Sequence, residues 1–311
     1  MKPLTIAVTG ASGFLGGHTT YRLVEAGHNV RALLRNGKAL EDGLSAVTAI
    51  PGDLDDADAL AKLVEGADSI VHLAGAIKAP NRKAFMDANR HGTTAIVAAW
   101  KRHAPKASFI LTSSLAARHP ELSHYAASKA EAESVTQGTG AVIFRPTAIY
   151  GPNDRETLRL FRAARLPVQV ALNAADARLT FIHVSDVVDA LMTAIHRPDD
   201  LRDKVIELCD SNLDGYSWRE LVTAATACWA RPARIVRLPE WVLRLGGRFG
   251  DLQAYCGKSP MLTSAKCNEI LFKDWSVKSA QTLPPDIWSP CIEIDEGFKK
   301  TFDWYRNAGW L

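Results

Sequence analysis

The fold is decided by the stretch Thr9-Gly10-Ala11-Ser12-Gly13-Phe14-Leu15-Gly16-Gly17, whose glycines follow a G-x-x-G-x-x-G spacing. The run before it, residues 4–8, is apolar and β-branched, which predicts a buried strand. The segment from Phe14 to Glu25 predicts a helix that ends at Ala26-Gly27. Glycines let the backbone come close to a pyrophosphate, and free N–H groups at a helix start favour its negative charge. The stretch therefore predicts a dinucleotide phosphate site formed by Gly10, Ser12, Gly13, Phe14, Leu15 and Gly16.

Length and composition narrow the class of protein. The chain has 311 residues and a formal net charge of +3, which is too small to indicate a nucleic-acid partner. Its five cysteines are an odd number with no C-x-x-C pair, so they predict reduced thiols in a cytoplasmic protein and neither a disulfide framework nor a metal site. The chain starts without a signal-peptide pattern and has no apolar run long enough for a transmembrane span.

Strand and helix patterns alternate through the first half. Further strands are predicted at 29–34, 47–51, 69–75 and 109–114, with a helix from near Asp55-Asp56 and mostly helical structure over 81–103. This alternation predicts an α/β fold, a doubly wound parallel sheet with helices on both faces. We expect a dinucleotide-binding domain over 1–152 and a smaller, mostly helical substrate lobe over 153–311, with part of 179–210 returning to the first domain.

The end of the second strand bears on the choice of cofactor. An acidic residue there is typical of NAD enzymes, whereas this chain has Leu34 and Arg35, followed by Lys38. A guanidinium can pair with a ribose 2′-phosphate that a carboxylate would repel. The sequence therefore favours NADP(H), although Arg35 and Lys38 can also be read as solvated turn residues.

Other cofactor contacts are expected at the carboxyl ends of the strands, where ligands bind in such sheets. Asp53 either contacts the adenine edge or caps the helix that follows it. The remaining candidates are Leu54, Leu73, Ala74, Gly75, Thr112 and Pro146.

A candidate catalytic group lies after the fifth strand. Tyr125 and Lys129 are four residues apart on a predicted helix and therefore share a face. A nearby ammonium favours the phenolate, so we expect Lys129 to lower the pKa of Tyr125 and make it a proton donor and acceptor. Ser114 can hydrogen-bond a substrate oxygen. Taken alone, a Y-x-x-x-K pattern is equally compatible with an ordinary surface helix.

The order of these motifs resembles the extended short-chain dehydrogenase/reductases. The glycine loop, Thr112-Ser113-Ser114 and Tyr125-x-x-x-Lys129 agree with that family, as do Asn89-x-x-Gly92-Thr93, the segments 144–152 and 181–190, and the end of the chain at 304–311. The resemblance implies hydride transfer from the nicotinamide to a carbonyl carbon. It further implies that Tyr125 supplies the proton, that Lys129 lowers the Tyr125 pKa and holds the nicotinamide ribose, that Ser114 orients the carbonyl and that Pro146 lines the nicotinamide.

The interval between Ser114 and Tyr125 is short, at residues 115–124. Sugar-nucleotide epimerases and dehydratases of this family have a longer segment there, and dehydratases have an acid where this chain has Leu115. The short segment resembles a subgroup that contains reductases of lipid-like and steroid-like ketones, bacterial ceramide reductases among them, and the dinucleotide-binding accessory subunit of respiratory complex I. The expected function is NADPH-dependent reduction of a lipid-like ketone, with 3-oxo-ceramide as the specific candidate. The alternatives are a non-catalytic NADP(H)-binding subunit and a sugar-nucleotide epimerase or dehydratase.

One segment of the second half stands out. On a helix, Trp241, Val242, Leu245 and Phe249 would form an apolar stripe with Arg244 and Arg248 along its edge. The stripe suits peripheral contact with an anionic membrane, which would place the protein at the inner face of the membrane, or the rim of an acyl-chain tunnel. The alternative is an ordinary lobe helix packed on the sheet. Gly246-Gly247 would weaken any helix there, and the sequence makes no prediction of oligomeric state.

Overall fold

The computed structural model describes residues 2–35, 40, 44–171, 177–230, 234–255 and 262–311, with the side chains of 254 and 255 left aside. Lys38 therefore lies outside the described residues. The strands are β1 (Thr5–Thr9), β2 (Asn29–Leu34), β3 (Thr48–Pro51), β4 (Ser69–His72), β5 (Ser108–Thr112), β6 (Val142–Pro146), β7 (Ala148–Tyr150), β8 (Val168–Ala171), β9 (Phe181–His183), β10 (Val205–Leu208) and β11 (Arg234–Arg237).

The α-helices alternate with these strands through the first half and dominate the second. They are α1 (Phe14–Glu25), α2 (Ala57–Val64), α3 (Arg82–Met86), α4 (Gly92–His103), α5 (His124–Thr136), α6 (Leu158–Ala164), α7 (Val184–His196), α8 (Pro198–Leu201), α9 (Trp218–Ala227), α10 (Glu240–Tyr255), α11 (Ser264–Leu271) and α12 (Ile294–Asn307). A π-helical turn, Asp87–His91, joins α3 to α4, and a 3₁₀ turn, Leu115–Arg118, follows β5.

The main sheet has seven parallel strands in the order β10-β6-β5-β4-β1-β2-β3. Its central strands are apolar runs because both of their faces are covered. One apolar cluster joins Val8, Ile110 and Phe144 to α7, and a second joins Ile70 and Phe109 to α2 and α4. The predicted doubly wound fold is thus confirmed. The strand order reverses between β1 and β4, which is where such sheets open a ligand crevice.

Several predicted boundaries were wrong by a few residues. The fourth and fifth strands end at His72 and Thr112, because the chain leaves the sheet where the crevice begins. In the C-terminal half, helix α6 begins at Leu158. Asp154 accepts hydrogen bonds from the backbone N–H groups of Glu156 and Thr157, at 2.8 and 2.9 Å, and so forms a turn ahead of the helix.

The C-terminal lobe combines helices with two short parallel strand pairs, β8 with β11 and β7 with β9. Its core holds Tyr150, Phe161, Phe298 and Tyr305, all fully buried. Strand β10 comes from the second half of the sequence yet forms the edge of the main sheet beside β6. The second half of the chain is therefore joined to the main sheet by the hydrogen bonds of β10 as well as by side-chain packing.

Candidate active site

The glycine loop brings β1, α1 and the chain after β4 into close contact. Gly10 has a φ of +78°, and a Cβ on it would lie 2.6 Å from the backbone nitrogen of Ala74. A Cβ on Gly16 would lie 1.9 Å from the carbonyl oxygen of Gly10. Both positions therefore need glycine. Gly10 needs it because its φ is positive and a Cβ would clash with Ala74, and Gly16 needs it because a Cβ would clash with Gly10.

Helix α1 begins at this loop without a side-chain cap. Gly13 is its N-cap residue and has no side chain that could accept a hydrogen bond from the first turn. The N–H groups of Phe14, Leu15 and Gly16 have no acceptor within the helix, because the first turn of an α-helix lacks preceding carbonyls. The loop thus presents unpaired donors and the positive end of the helix dipole, which suits a pyrophosphate.

Ser114 and Tyr125 meet at the carboxyl end of β5. The Ser114 side chain lies beside the hydroxyl of Tyr125 and lowers its pKa as a hydrogen-bonding neighbour. The Ser114 hydroxyl also accepts a bond from the backbone N–H of Ala116 at 3.2 Å, which places it at the start of the 3₁₀ turn. The helix that carries Tyr125 is capped by Ser123, whose hydroxyl accepts from the N–H of Ala126 at 3.0 Å. Local capping therefore positions both hydroxyl groups of the candidate pair.

The expected lowering of the Tyr125 pKa is not found. Burial raises the pKa of Tyr125 to about 12, the bond to Ser114 acts in the opposite direction, and the Glu269 carboxylate raises the pKa further. A phenolate loses hydration among packed side chains, although part of the Tyr125 surface stays open to solvent. The protonated form is thus favoured, which suits a proton donor.

Lys129 lies one turn along the same helix and is almost fully buried. Its Nζ donates a hydrogen bond of 3.0 Å to the carbonyl oxygen of Thr112, at the end of β5. Burial lowers the pKa of Lys129 to about 8, while the carboxylate of Glu133 acts in the opposite direction. The ammonium is thus held at the edge of the sheet, where a cofactor ribose is expected.

Ser113 and Ser114 have different surroundings, although they are adjacent in the sequence. Ser113 is buried and donates a 2.5 Å hydrogen bond to Oε1 of Glu133. Glu133 also receives two bonds from the guanidinium of Arg145, at 2.9 and 2.6 Å. The Ser113 hydroxyl is therefore engaged by the buried Glu133–Arg145 ion pair. This supports Ser114, and not Ser113, as the serine that faces a substrate.

This ion pair continues beneath the site as a network that the sequence did not reveal. Glu207 on β10 is buried between Arg145 and Arg118, at 3.9 and 3.4 Å. Arg118 also donates to the carbonyl oxygens of Asp274 and Ser276, at 3.1 and 2.9 Å. The network thus links the turn after Ser114 to the C-terminal lobe. Its members lie up to 158 positions apart, so no local spacing signals it.

Asn89 is a second residue whose site contacts were not predicted. Its side-chain amide donates to Ser128 on α5 at 2.7 Å and exchanges two bonds with the backbone of Ala76, at 2.7 and 3.1 Å. The π-helical turn places Asn89 there, and a Cβ on Gly75 would lie 2.7 Å from its Oδ1. The sequence signal that could have identified Asn89 is its position in the segment 89–93, which resembles the family.

The remaining cofactor candidates lie at strand ends as expected. Arg35 is exposed directly after β2 and has no carboxylate partner among the residues that the structure describes. Asp53 does not cap α2; its Oδ1 accepts from the N–H of Asp55 at 3.0 Å, and Asp56 is the capping residue. Contact of Asp53 with an adenine edge stays a prediction. Leu54 packs closely against Gly92.

The residues present fit a bound dinucleotide. The cradle at Gly10 and Gly16 would be filled by any side chain there. The hydroxyls of Thr112 and Thr147 are buried, and neither has a hydrogen-bond partner among the described residues. They lie at the carboxyl end of β5 and directly after Pro146, where the nicotinamide half is expected. Within the described ranges, no group of three or more acidic, His or Cys side chains could hold a metal ion.

Comparison with known proteins extends this picture. The chain is 39% identical to the ceramide reductase of Caulobacter vibrioides, over 98% of this chain and 96% of that protein. It is 26% identical to the 2-alkyl-3-oxoalkanoate reductase of Shewanella oneidensis, over 94% and 84% of the two chains. The fold matches a UDP-glucuronic acid 4-epimerase from Bacillus cereus, solved in complex with a UDP-sugar and NAD, with a TM-score of 0.74 at 17% identity over 98% and 100% of the chains.

The family model for the NAD dependent epimerase/dehydratase family matches residues 6–209. This range covers the main sheet from β1 to β10, with the glycine loop, Ser114, Tyr125 and Lys129. The chain therefore belongs to the NAD dependent epimerase/dehydratase family, the extended short-chain dehydrogenase/reductases.

Proposed function

We propose that this protein is an NADPH-dependent reductase of a hydrophobic, lipid-like ketone, and that 3-oxo-ceramide is the substrate it converts to ceramide. The observation that carries the proposal is the 39% identity to a ceramide reductase across nearly the whole chain. The 2-alkyl-3-oxoalkanoate reductase supports the same class, since its name describes a ketone in an alkyl-substituted acid. The epimerase match is below 25% identity and supports the fold alone.

The proposed chemistry divides simple tasks among three side chains. When bound, NADPH supplies the hydride that the carbonyl carbon accepts. Ser114 donates a hydrogen bond to the carbonyl oxygen and so fixes its place beside Tyr125. Tyr125 gives its phenolic proton to the same oxygen as the carbonyl becomes an alcohol, and solvent then restores that proton. The Lys129 ammonium, held at the end of β5, binds the cofactor ribose.

The surroundings of the site favour an apolar substrate. Leu115, which directly follows Ser114, is buried in a cluster with Cys209 and Val277. Phe272 and Trp275 pack against His119, which ends the 3₁₀ turn after Ser114, with ring centroids 4.4 and 5.9 Å from that of His119. An apolar surrounding of this kind suits an alkyl chain better than a sugar, whose hydroxyls need hydrogen-bond partners.

The preference for NADPH rests on Arg35 and on the lack of an acid at the end of β2. We expect Arg35→Glu to raise the Michaelis constant for NADPH at least about tenfold, because it replaces a charge-assisted bond to the 2′-phosphate by repulsion. The Michaelis constant for NADH should change far less. Steady-state rates with both cofactors measure this, and equal effects would show that Arg35 does not contact the 2′-phosphate.

The proposal is tested by NADPH oxidation with purified protein and 3-oxo-ceramide in detergent micelles, beside a UDP-glucuronic acid control. We expect oxidation that requires the lipid ketone and yields ceramide. Tight NADPH binding without oxidation would instead favour the non-catalytic subunit. Conversion of the UDP-sugar with no net change in NAD(P)H would favour the epimerase.

A further inference from the structure

Helix α10 presents an apolar stripe to the outside of the molecule. Trp241, Leu245, Phe249 and Leu252 have 68%, 59%, 63% and 60% of their surface exposed. At about 100° per residue, these positions fall within one sector of the helix. Solvated helices normally place such side chains inward, so a run of four along one face marks an interaction surface. No helix within the described residues is long and apolar enough to cross a membrane.

The opposite face of α10 is already used for folding. Leu243 is buried, and its carbonyl oxygen accepts a bond from the thiol of Cys267 on α11 at 3.2 Å. A Cβ on Gly247 would lie 2.7 Å from that sulfur and 3.1 Å from the backbone of Ser264. Gly247 thus lets α11 approach closely, and α10 is continuous through the Gly246-Gly247 pair. The lobe packs this helix by its small-residue face and leaves the large apolar face outside.

Cationic side chains flank the stripe. Arg248 lies beside Phe249 and Leu252 on the helix, is exposed, and has no ion-pair partner in the part of the chain that the structure describes. Arg244 lies at the same edge and pairs with Glu240 at 2.6 Å. Arg234 and Arg237 on the strand just before α10 are exposed as well. This combination of large apolar side chains and arginines suits an anionic lipid surface.

The stripe lies one helix away from the candidate catalytic tyrosine. Helix α11 separates α10 from the loop that leads into α5. Asn268 on α11 donates to the carbonyl oxygen of Leu122 at 3.4 Å, and Ser123, the cap of the Tyr125 helix, donates to Glu269. A surface that holds α10 is therefore one helix away from the segment that carries Tyr125.

We propose that α10 docks the protein on an anionic phospholipid bilayer, with Trp241, Leu245, Phe249 and Leu252 inserted among the acyl chains and Arg244 and Arg248 at the headgroups. Docking itself needs only this surface. Its purpose, delivery of a membrane-resident ketone to Tyr125, rests on the proposed function.

Sedimentation with vesicles tests the docking without any substrate. We expect the protein to bind vesicles of phosphatidylglycerol mixed with phosphatidylcholine, and to bind pure phosphatidylcholine at least about fivefold more weakly. The combined variant Trp241→Ser, Leu245→Ser and Phe249→Ser should lose at least about tenfold in partition, because it removes the inserted apolar surface. Tyr21→Ser, which removes an exposed aromatic ring on α1, is the matched control and should bind like the parent protein.

Charge is tested separately from insertion. Arg244→Glu with Arg248→Glu should weaken binding to the anionic vesicles about tenfold and have little effect on pure phosphatidylcholine. Arg219→Glu, a reversal of an exposed arginine on α9, is the control and should change little. Thermal unfolding should be unaffected in every variant, because all of these side chains are exposed.

Three results would overturn the docking proposal. One is absence of vesicle binding by the parent protein, and another is equal binding by the parent and the triple variant. The third is a parent protein that does not bind vesicles but runs as a dimer on gel filtration, while the triple variant runs as a monomer. That result would assign the stripe to contact with a second copy of the chain. Failure of the proposed function reads out differently: the protein would bind vesicles as described but would not oxidise NADPH with 3-oxo-ceramide.

Discussion

The glycine loop and helix α10 both depend on glycine, but the two regions use it to build different kinds of surface. In the loop, Gly10 and Gly16 let the backbones of β1, α1 and the chain after β4 approach one another at the start of α1. In α10, Gly247 lets α11 pack closely against the helix, and the large apolar side chains remain exposed. The first region is shaped for a small charged ligand and the second for an extended partner. Changes in the first should therefore alter chemistry, and changes in the second should alter where the protein binds.

The sharpest test of this division is Tyr125→Phe. Loss of the phenolic proton should lower kcat on the order of 10³-fold. NADPH affinity should be nearly unchanged, because the ring and its packing against Phe85 remain. Turnover of 3-oxo-ceramide and NADPH fluorescence titration measure the two effects, and vesicle binding should equal that of the parent. Substantial residual turnover would remove Tyr125 from the proton-donor role.

Ser114→Ala and Ser113→Ala separate two adjacent residues. Ser114→Ala should lower kcat about 10²-fold, since the carbonyl oxygen loses a positioned donor. Ser113→Ala should retain turnover within about threefold and lower the free energy of unfolding by about 1–2 kcal/mol, because Glu133 loses a buried bond. Kinetics and urea unfolding of both variants make the comparison, and the reverse pattern would exchange the two assignments.

Alanine substitutions at Gly10 and Gly27 separate the effect of a backbone clash from the effect of a left-handed φ. Gly10→Ala combines a left-handed backbone with a clash, whereas Gly27→Ala has nearly the same φ of +79° and nothing within 4 Å. We expect Gly10→Ala to destabilise the fold by at least about 2 kcal/mol more than Gly27→Ala, whose own cost is about 1 kcal/mol. NADPH affinity should fall with Gly10→Ala alone.

Gly247→Ala is the counterpart in the lobe. Its Cβ would press on Cys267, so the free energy of unfolding should fall by about 1–3 kcal/mol while NADPH affinity is retained. Isothermal titration with NADPH and urea unfolding measure the pair of effects. Lost NADPH affinity in Gly247→Ala would show that the glycine loop and helix α10 are energetically coupled.

The smallest expected effect is a pH dependence of cofactor affinity. The pKa of Lys129, about 8, lies below its ordinary value, so the ammonium is lost as the pH rises through about 8. NADPH affinity should then fall by about tenfold between about pH 7 and about pH 9. Lys129→Arg should shift this fall out of the range, since a guanidinium remains charged. A flat profile in the parent protein would show that the Lys129 charge does not contribute to binding.

Local spacing accounts for what could be predicted from the sequence. The glycine loop and the Tyr125–Lys129 pair each lie within a few residues, and the segments 89–93 and 144–152 carried a family resemblance. The alternation of apolar strands and helices then predicted the doubly wound sheet. Leu115 in place of an acid disfavours dehydratase chemistry, and this stays a prediction.

What could not be predicted depends on partners far apart in the chain. Glu207 reaches Arg118 across 89 positions, and Arg118 reaches Ser276 across 158. The Tyr125 pKa was misjudged because spacing shows the Lys129 charge but neither the burial of the phenol nor the approach of Glu269. The packing role of Gly247 could not be predicted either, because it depends on the contact between α10 and α11.

The proposed reaction, hydride transfer from NADPH to the ketone of a lipid, can be followed with an isotope label. The protein would be incubated with NADPH carrying two deuterium atoms at C4 and with 3-oxo-ceramide in micelles, and the product analysed by mass spectrometry. We predict ceramide with a single deuterium on the former ketone carbon, and no such product with Tyr125→Phe. Unlabelled ceramide, or no ceramide despite saturating NADPH, would contradict hydride transfer from NADPH to this ketone.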